Sequence, residues 1–186
     1  MIDITIQNYS AVQKALKGQP KKVNLVLSRA INRAATTAKA AMSKKVREQY
    51  LVSAADVKKT IGITKATTSR PSAIVKSMGK RIGLAKFRTS PGAPRPTKPP
   101  STYKVQVKKD SGLKAVEGGF LASVNGGVGF FRRVGSSRLP ITRLMGPSVP
   151  QMIGAKDVIT WVETQAKNTL NTRIQHELEQ VLGAKK

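Results

Sequence analysis

Residues 118–153 read GGFLASVNGGVGFFRRVGSSRLPITRLMGPSVPQMI, and the rest of the chain is organised around them. Two apolar runs, Phe120–Val124 and Val128–Val134, flank Asn125-Gly126-Gly127. A type I′ turn needs positive φ at both central residues and Asn-Gly tolerates it, so the spacing predicts a β-hairpin. Beyond Val134 the pattern changes. Pro140, Pro147 and Pro150 each remove a backbone donor and restrict the residue before them. This half is expected to be neither helix nor strand but an extended arm. Yet Leu139, Ile141, Leu144, Met145, Val149 and Met152 make it too apolar for a solvated loop. A stiff, apolar arm after a hairpin points to a segment docked on a neighbour, within the fold or between subunits. The residues that would carry the docking are Arg138, Leu139, Pro140, Ile141, Leu144, Pro147, Val149 and Pro150.

Downstream, residues 155–183 have helical periodicity with Val158, Val162, Ala166, Leu170, Ile174, Leu178 and Leu182 spaced by four. A helix turns every 3.6 residues, so such a row drifts about 40° per step and winds around its axis. Either the helix bends or its two halves face different partners, and the later turns are read as an oligomer contact. Upstream, residues 20–50 form a second long helical pattern. Leu27, Ile31, Ala34, Ala38, Ala41 and Met42 fall on one side of a helical wheel. Arg29, Arg33, Thr36, Ala40, Lys44 and Arg47 fall on the other. The alanines let another backbone approach closely. The basic side is either a solvated face or a stripe facing DNA or an acidic subunit.

Shorter signals fill the gaps. Ile2, Ile4 and Ile6 alternate as in a strand, and Tyr9–Leu16 reads as a short helix stopped at Gly18 and Pro20. Ser53-Ala-Ala-Asp56 has capping-box spacing and opens a short helix that is expected to run to Gly62. Ser72–Ser77 and Arg81–Arg88 are strand candidates around Met78-Gly79-Lys80, and Tyr103–Lys108 is another. Residues 90–101, SPGAPRPTKPPS, hold five of the ten prolines and are expected to form an extended, projecting loop. The whole reads as one domain, 1–186, of the α+β class: a small antiparallel β-sheet or sandwich flanked by a long N-terminal helix and a C-terminal helix, with a proline-rich loop and an extended arm.

Charge bounds the function. Lys and Arg number 34 against 9 Asp and Glu, for a net charge of +25. Such an excess repels itself and calls for a polyanion or an acidic protein surface. From Val57 to Lys109 there are 14 basic residues and no acid, whereas Asp157, Glu163, Glu177 and Glu179 all lie in the terminal helix. The candidate face for DNA or an acidic partner comprises Arg29, Arg33, Lys44, Arg47, Arg132 and Arg133. No apolar run nears the roughly 20 residues of a membrane span. The first residues lack a signal-peptide pattern, so export by that route is not expected.

Reactive groups are few. Cysteine is absent and the single histidine, His176, sits in a polar helical turn. No carboxylate cluster offers a metal site, and no phosphate-loop pattern follows a strand. No enzyme activity, metal or cofactor is expected. Two classes remain. One is a basic nucleic-acid-binding protein, ribosomal-protein-like or a DNA-packaging accessory, whose affinity would fall steeply with salt. It shows no zinc finger, RNP strand or recognition-helix pattern. The other is a structural subunit of an assembly.

Three blocks carry a resemblance. LSRAINRAATTAKAAMSKKVREQY is similar to an alanine-rich helix built around a Leu/Ile-Asn-Arg-Ala core, and LVSAADVKKTI to the short helix that follows it. In the third block Phe120, Arg132, Arg133, Leu139, Pro140, Ile141, Gly146, Pro147, Val149 and Pro150 fill a distinctive set of positions. These are a Gly-Ala-Phe strand, a hairpin, an arginine-bearing strand, a Leu/Tyr-Pro-Ile motif and a Pro-Ser/Ala-Val-Pro segment. The chain thereby resembles the minor tail protein Z family of tailed bacteriophages, the tail-completion proteins of the head–tail neck. One departure is Glu117-Gly118-Gly119, where that family often has Pro-Gly-Ala. The resemblance implies a virion protein made in the host cytoplasm and incorporated into the tail or neck. It would form a ring, most often hexameric, at the head-proximal end of the tail. Its partners would be other copies of itself, the tail terminator and neighbouring neck or tail proteins, with phage DNA in the lumen and no membrane.

Overall fold

The computed structural model describes residues 9–16 and 19–183. The strand expected around Ile2, Ile4 and Ile6, and the basic end Lys185-Lys186, lie outside the described residues. Two long helices organise the fold: α2, Pro20–Gln49, and the last helix, α5, Lys156–Gly183. A short α1, Tyr9–Ala15, packs against both. Pro20 stands in the first turn of α2, where an N–H has no intrahelical partner and its absence costs nothing.

The four-residue row of α5 meets a matching row on α2. Val26, Ala30, Ala34, Ala38, Met42 and Val46 are all buried, and the row ends on Tyr50 just beyond the helix. Rows four apart are the ridges by which helices interlock. The pairing is antiparallel and divides at its middle. Val158, Val162 and Ala166 share one core cluster with Ala38, Met42 and Val46, while Leu170 and Ile174 share another with Val23, Leu27, Ala30 and Ala34. The winding row therefore serves two partners, and both lie on the same helix of the same chain. The oligomer contact expected of the later turns is corrected as far as Leu178, which packs into the second cluster; Leu182 alone stays exposed.

Between the helices runs a succession of short elements. Ser53 caps α3, Ala54–Lys58, by accepting the Asp56 N–H at 3.0 Å. This helix stops before Gly62, because Ile61 opens a strand, β1, Ile61–Thr64. It pairs antiparallel with β2, Ile74–Ser77. The expected strand Arg81–Arg88 is broken by a 3₁₀ turn at Leu84–Lys86 into β3, Arg81–Gly83, and β4, Arg88–Ser90. The strands flanking Met78-Gly79-Lys80 do not pair with each other. β4 pairs with β5, Lys104–Gln106, and β5 with the short β6, Lys114–Ala115. Residues 91–101 form no regular element and are mostly exposed, in line with their prolines.

The hairpin forms as its turn residues dictate. β7, Gly119–Val124, and β8, Gly127–Arg133, pair in continuous register across Asn125 at φ 51° and Gly126 at φ 76°. Phe130 is fully buried and meets Tyr103 edge-on, with ring centroids 6.0 Å apart, in a third core cluster with Val105 and Leu121. Gly119 makes that possible: a Cβ there would stand 2.5 Å from the Phe130 ring and 2.8 Å from Val116.

The arm differs from its reading. Ile141–Arg143 is a third strand, β9, paired with β8. Met145–Ser148 is β10, paired across the fold with β3. Val149–Ile153 is a helix, α4, closed by a full capping box between Ser148 and Gln151. Contrary to the extended arm that the prolines suggest, Pro150 occupies the first turn of this helix, where proline fits without loss. The Ser148-Val-Pro-Gln151 spacing was itself a helix-start signal. Val149, Met152 and Ile153 enter the main core beside Val158 and Val46, which is why the segment is so apolar. The described fold is thus α+β, with two long helices and four small antiparallel sheets rather than one.

Candidate docking surface

The basic face of α2 is as exposed as its wheel position requires: Arg29, Arg33, Lys44 and Arg47 all face solvent. Their charges are not equally available. Arg29 reaches Glu177 of α5 at 3.4 Å, and Arg173 reaches the same carboxylate at 3.0 Å. Glu177 is buried, and this pairing ties the first half of α2 to the end of α5. Lys44 and its neighbour Lys45 sit over the Trp161 ring at 5.9 and 5.6 Å. Arg33 and Arg47 have no acidic partner among the described residues. Next to Arg33, Asn32 is half-buried. Asn32 grips the backbone of Ala66 twice, donating to its carbonyl at 2.9 Å and accepting its N–H at 2.8 Å. The Asn of the Ile31-Asn32-Arg33-Ala34 motif is therefore a clamp on the loop after β1.

Arg132 and Arg133 lie on β8, whose Phe130 belongs to a separate core cluster, and successive strand residues face opposite sides. Arg133 lies over the Phe120 ring at 5.4 Å and donates to the Arg138 carbonyl, folding the following loop back on the sheet. The structure does not bring this pair into the α2 stripe.

Of the residues expected in the arm, Arg138, Leu139 and Pro140 are exposed, Leu139 by 67%. Ile141 and Leu144 are half-buried against the sheet; Leu144 donates its N–H to the Phe130 carbonyl at 2.7 Å. Pro147 and Pro150 are half-buried and Val149 is in the core. The longest continuously exposed stretch here is 132–140, in which Val134 and Leu139 stand out as large apolar groups.

A second concentration of charge escapes a sequence reading. Lys59, Lys80, Arg81, Lys86 and Arg143 line a cleft of 430 Å³ together with Asp56, Met78, Ile82, Met145 and the two glycines Gly79 and Gly83. Asp56 is held by Lys59 at 2.6 Å and Lys86 at 3.4 Å. The Lys59 hydrogen bond, with help from Ser53 and the Lys86 charge, lowers its carboxyl from 3.8 to about 2. Lys80, Arg81 and Arg143 have no acidic partner among the described residues. The acid-free run 57–109 hinted at such a site, but Arg143 joins it only because β10 returns to pair with β3.

Among the described residues no group of His, Cys, Asp and Glu could hold a metal ion, and no helix is long and apolar enough to cross a membrane. His176 is exposed. No curated protein and no solved structure matches the chain. A family model does, that of Prophage minor tail protein Z (GPZ), over residues 9–185. The match takes in both long helices, the clamp of Asn32, all four sheets and the exposed 132–140 segment, and the chain therefore belongs to the prophage minor tail protein Z family, whose members are structural components of the phage tail.

Proposed function

We propose that this protein is a tail-completion subunit. It assembles as a ring of six copies at the head-proximal end of the tail. There it contacts the tail terminator and the neck proteins, helps join the tail to the DNA-filled capsid, and surrounds the DNA channel. The supporting observation is the 132–140 segment, in which exposed arginine, valine, leucine and proline lie on a sheet anchored in the core. Exposed Val134 and Leu139 are side chains that a subunit gains by covering. A rigid sheet beneath them lowers the ordering cost of docking. Arg33 and Arg47, exposed and without acidic partners among the described residues, are among the α2 charges free to face DNA or an acidic neighbour.

The test is complementation of a phage lacking this gene with Val134→Asp/Leu139→Asp protein. The variant is expected to fold, and lysates should contain filled heads and full-length tails that stay unjoined. Normal infectivity would remove the 132–140 segment from the mechanism, and absent or shortened tails would move the role to an earlier step. Reading the protein instead as chiefly DNA-binding predicts tight, salt-sensitive duplex binding that Arg33→Ala/Arg47→Ala abolishes.

A further inference from the structure

The cleft between β3–β10 and the α3–β1 segment combines three features that an ordinary basic surface lacks. Its cations converge from four separate parts of the chain, at Lys59, Lys80–Arg81, Lys86 and Arg143. The single carboxylate, Asp56, is already neutralised by two lysines, so the remaining charge has nothing to balance it. The lining also includes Met78, 68% exposed, and Met145, 41% exposed. Methionines exposed among cations suit a ligand that is acidic and apolar together, since the flexible thioether adapts to a partner's side chains. The walls are stiff. Met78 donates its N–H to the Thr60 carbonyl at 2.9 Å, Thr60 and Ser77 share a hydroxyl hydrogen bond at 3.1 Å, and a Cβ on Gly79 would press on Thr60 at 3.1 Å.

Chemistry separates the possible occupants. A nucleic-acid backbone would satisfy the cations but offers no apolar side chains to Met78 and Met145, whereas a cleft of 430 Å³ admits several side chains of an extended segment. A second copy of this chain is poorly suited too, because its nine carboxylates are scattered and Glu177 is buried in an ion pair. We propose that this cleft is a docking site for an acidic, apolar-bearing extended segment of a different protein. Lys80, Arg81 and Arg143 receive its carboxylates, and Met78 and Met145 cover its apolar side chains. The proposal concerns the cleft alone and holds wherever in the tail the protein sits.

Fluorescence anisotropy on the full-length protein tests it with three labelled probes of equal charge: a peptide alternating Glu with Leu, a peptide alternating Glu with Ser, and a single-stranded oligothymidylate. The Glu–Leu peptide is expected to bind tightest. Lys80→Glu/Arg81→Glu should weaken it by about tenfold or more, as loss of close charge pairs does. Arg33→Glu/Arg47→Glu changes net charge equally but lies elsewhere, and should weaken it by less than about twofold, as screened distant charges do. Met78→Ser should reduce Glu–Leu binding while leaving Glu–Ser binding unchanged. Equal losses in the two charge-reversal variants, equal binding of the two peptides, or no binding would each overturn the proposal. Tighter oligothymidylate binding that depends on Lys80 and Arg81 would overturn it in favour of a phosphodiester site. Unchanged urea midpoints in all variants establish that the folds are intact.

Discussion

Met152→Ala is the sharpest test of how residues 118–153 are built. Met152 is fully buried in the cluster that joins α2, α4 and α5, touching the environment of Val46, Val158 and Val162. Truncation removes most of a thioether side chain from the core and leaves a cavity that two long helices cannot collapse to fill. Burial of such a side chain is worth about 1.5–3 kcal/mol, and the cavity raises the total to about 2–5 kcal/mol. Taking about 3 kcal/mol and a urea slope of about 2 kcal/mol/M, the unfolding midpoint falls by about 1.5 M. The matched control is Leu139→Ser, on the same segment but 67% exposed, which should change stability by no more than about 0.5 kcal/mol. Circular dichroism at 222 nm follows both, because the helices report the common core. A midpoint drop under about 0.3 M for Met152→Ala, or equal drops for the two variants, would mean that the segment is an appendage and that its docking on the core is misread.

Three further outcomes follow from particular contacts. Asn32→Ala leaves the buried Ala66 N–H and carbonyl without partners, so it should cost about 1–3 kcal/mol and accelerate hydrogen exchange at Ala66. Gly119→Ala drives a methyl into Phe130 and Val116 and should cost about 1–3 kcal/mol; in a double-mutant cycle with Phe130→Leu the two losses should be less than additive. Asp56 is held at about 2 by Lys59, Ser53 and Lys86, against an unfolded value near 3.9. Its lowered folded value means that its stabilisation is present above about pH 4 and is lost as the pH falls towards about 2. Asp56→Asn should therefore flatten that stretch of the acid limb, measured as urea midpoint against pH.

Several of these residues were legible from spacing alone and others were not. The exposed and buried sides of α2, the Asn-Gly turn and the Ser53 cap each depend on a few neighbours in sequence, and the structure has each where its local chemistry sets it. The arm was half legible. Its prolines suggest an absence of regular structure, yet Pro150 opens a helix and Pro147 stands in a strand. A missing donor matters only where a partner would have used it, and neither position asks for one. The charged cleft was not legible at all, since Arg143 shares a cleft with Lys59 and Lys86 only through pairing between distant strands. Likewise the unpaired look of Arg29 in sequence gave no sign of the buried Glu177 that holds it.

By itself the sequence determined the two long helices, the hairpin, the excess of positive charge and the likeness to a phage tail family. These follow from periodicity, turn chemistry, composition and local motifs, which act over a few residues or over the chain as a whole. Only the tertiary structure decided that the two four-residue rows consume each other, that Val149, Met152 and Ile153 belong to the core, and that 132–140 stays exposed. The reason is physical: an apolar side chain is equally ready to meet its own chain or a neighbour's. Burial is non-directional, so which partner it finds is settled by the packing of the whole molecule.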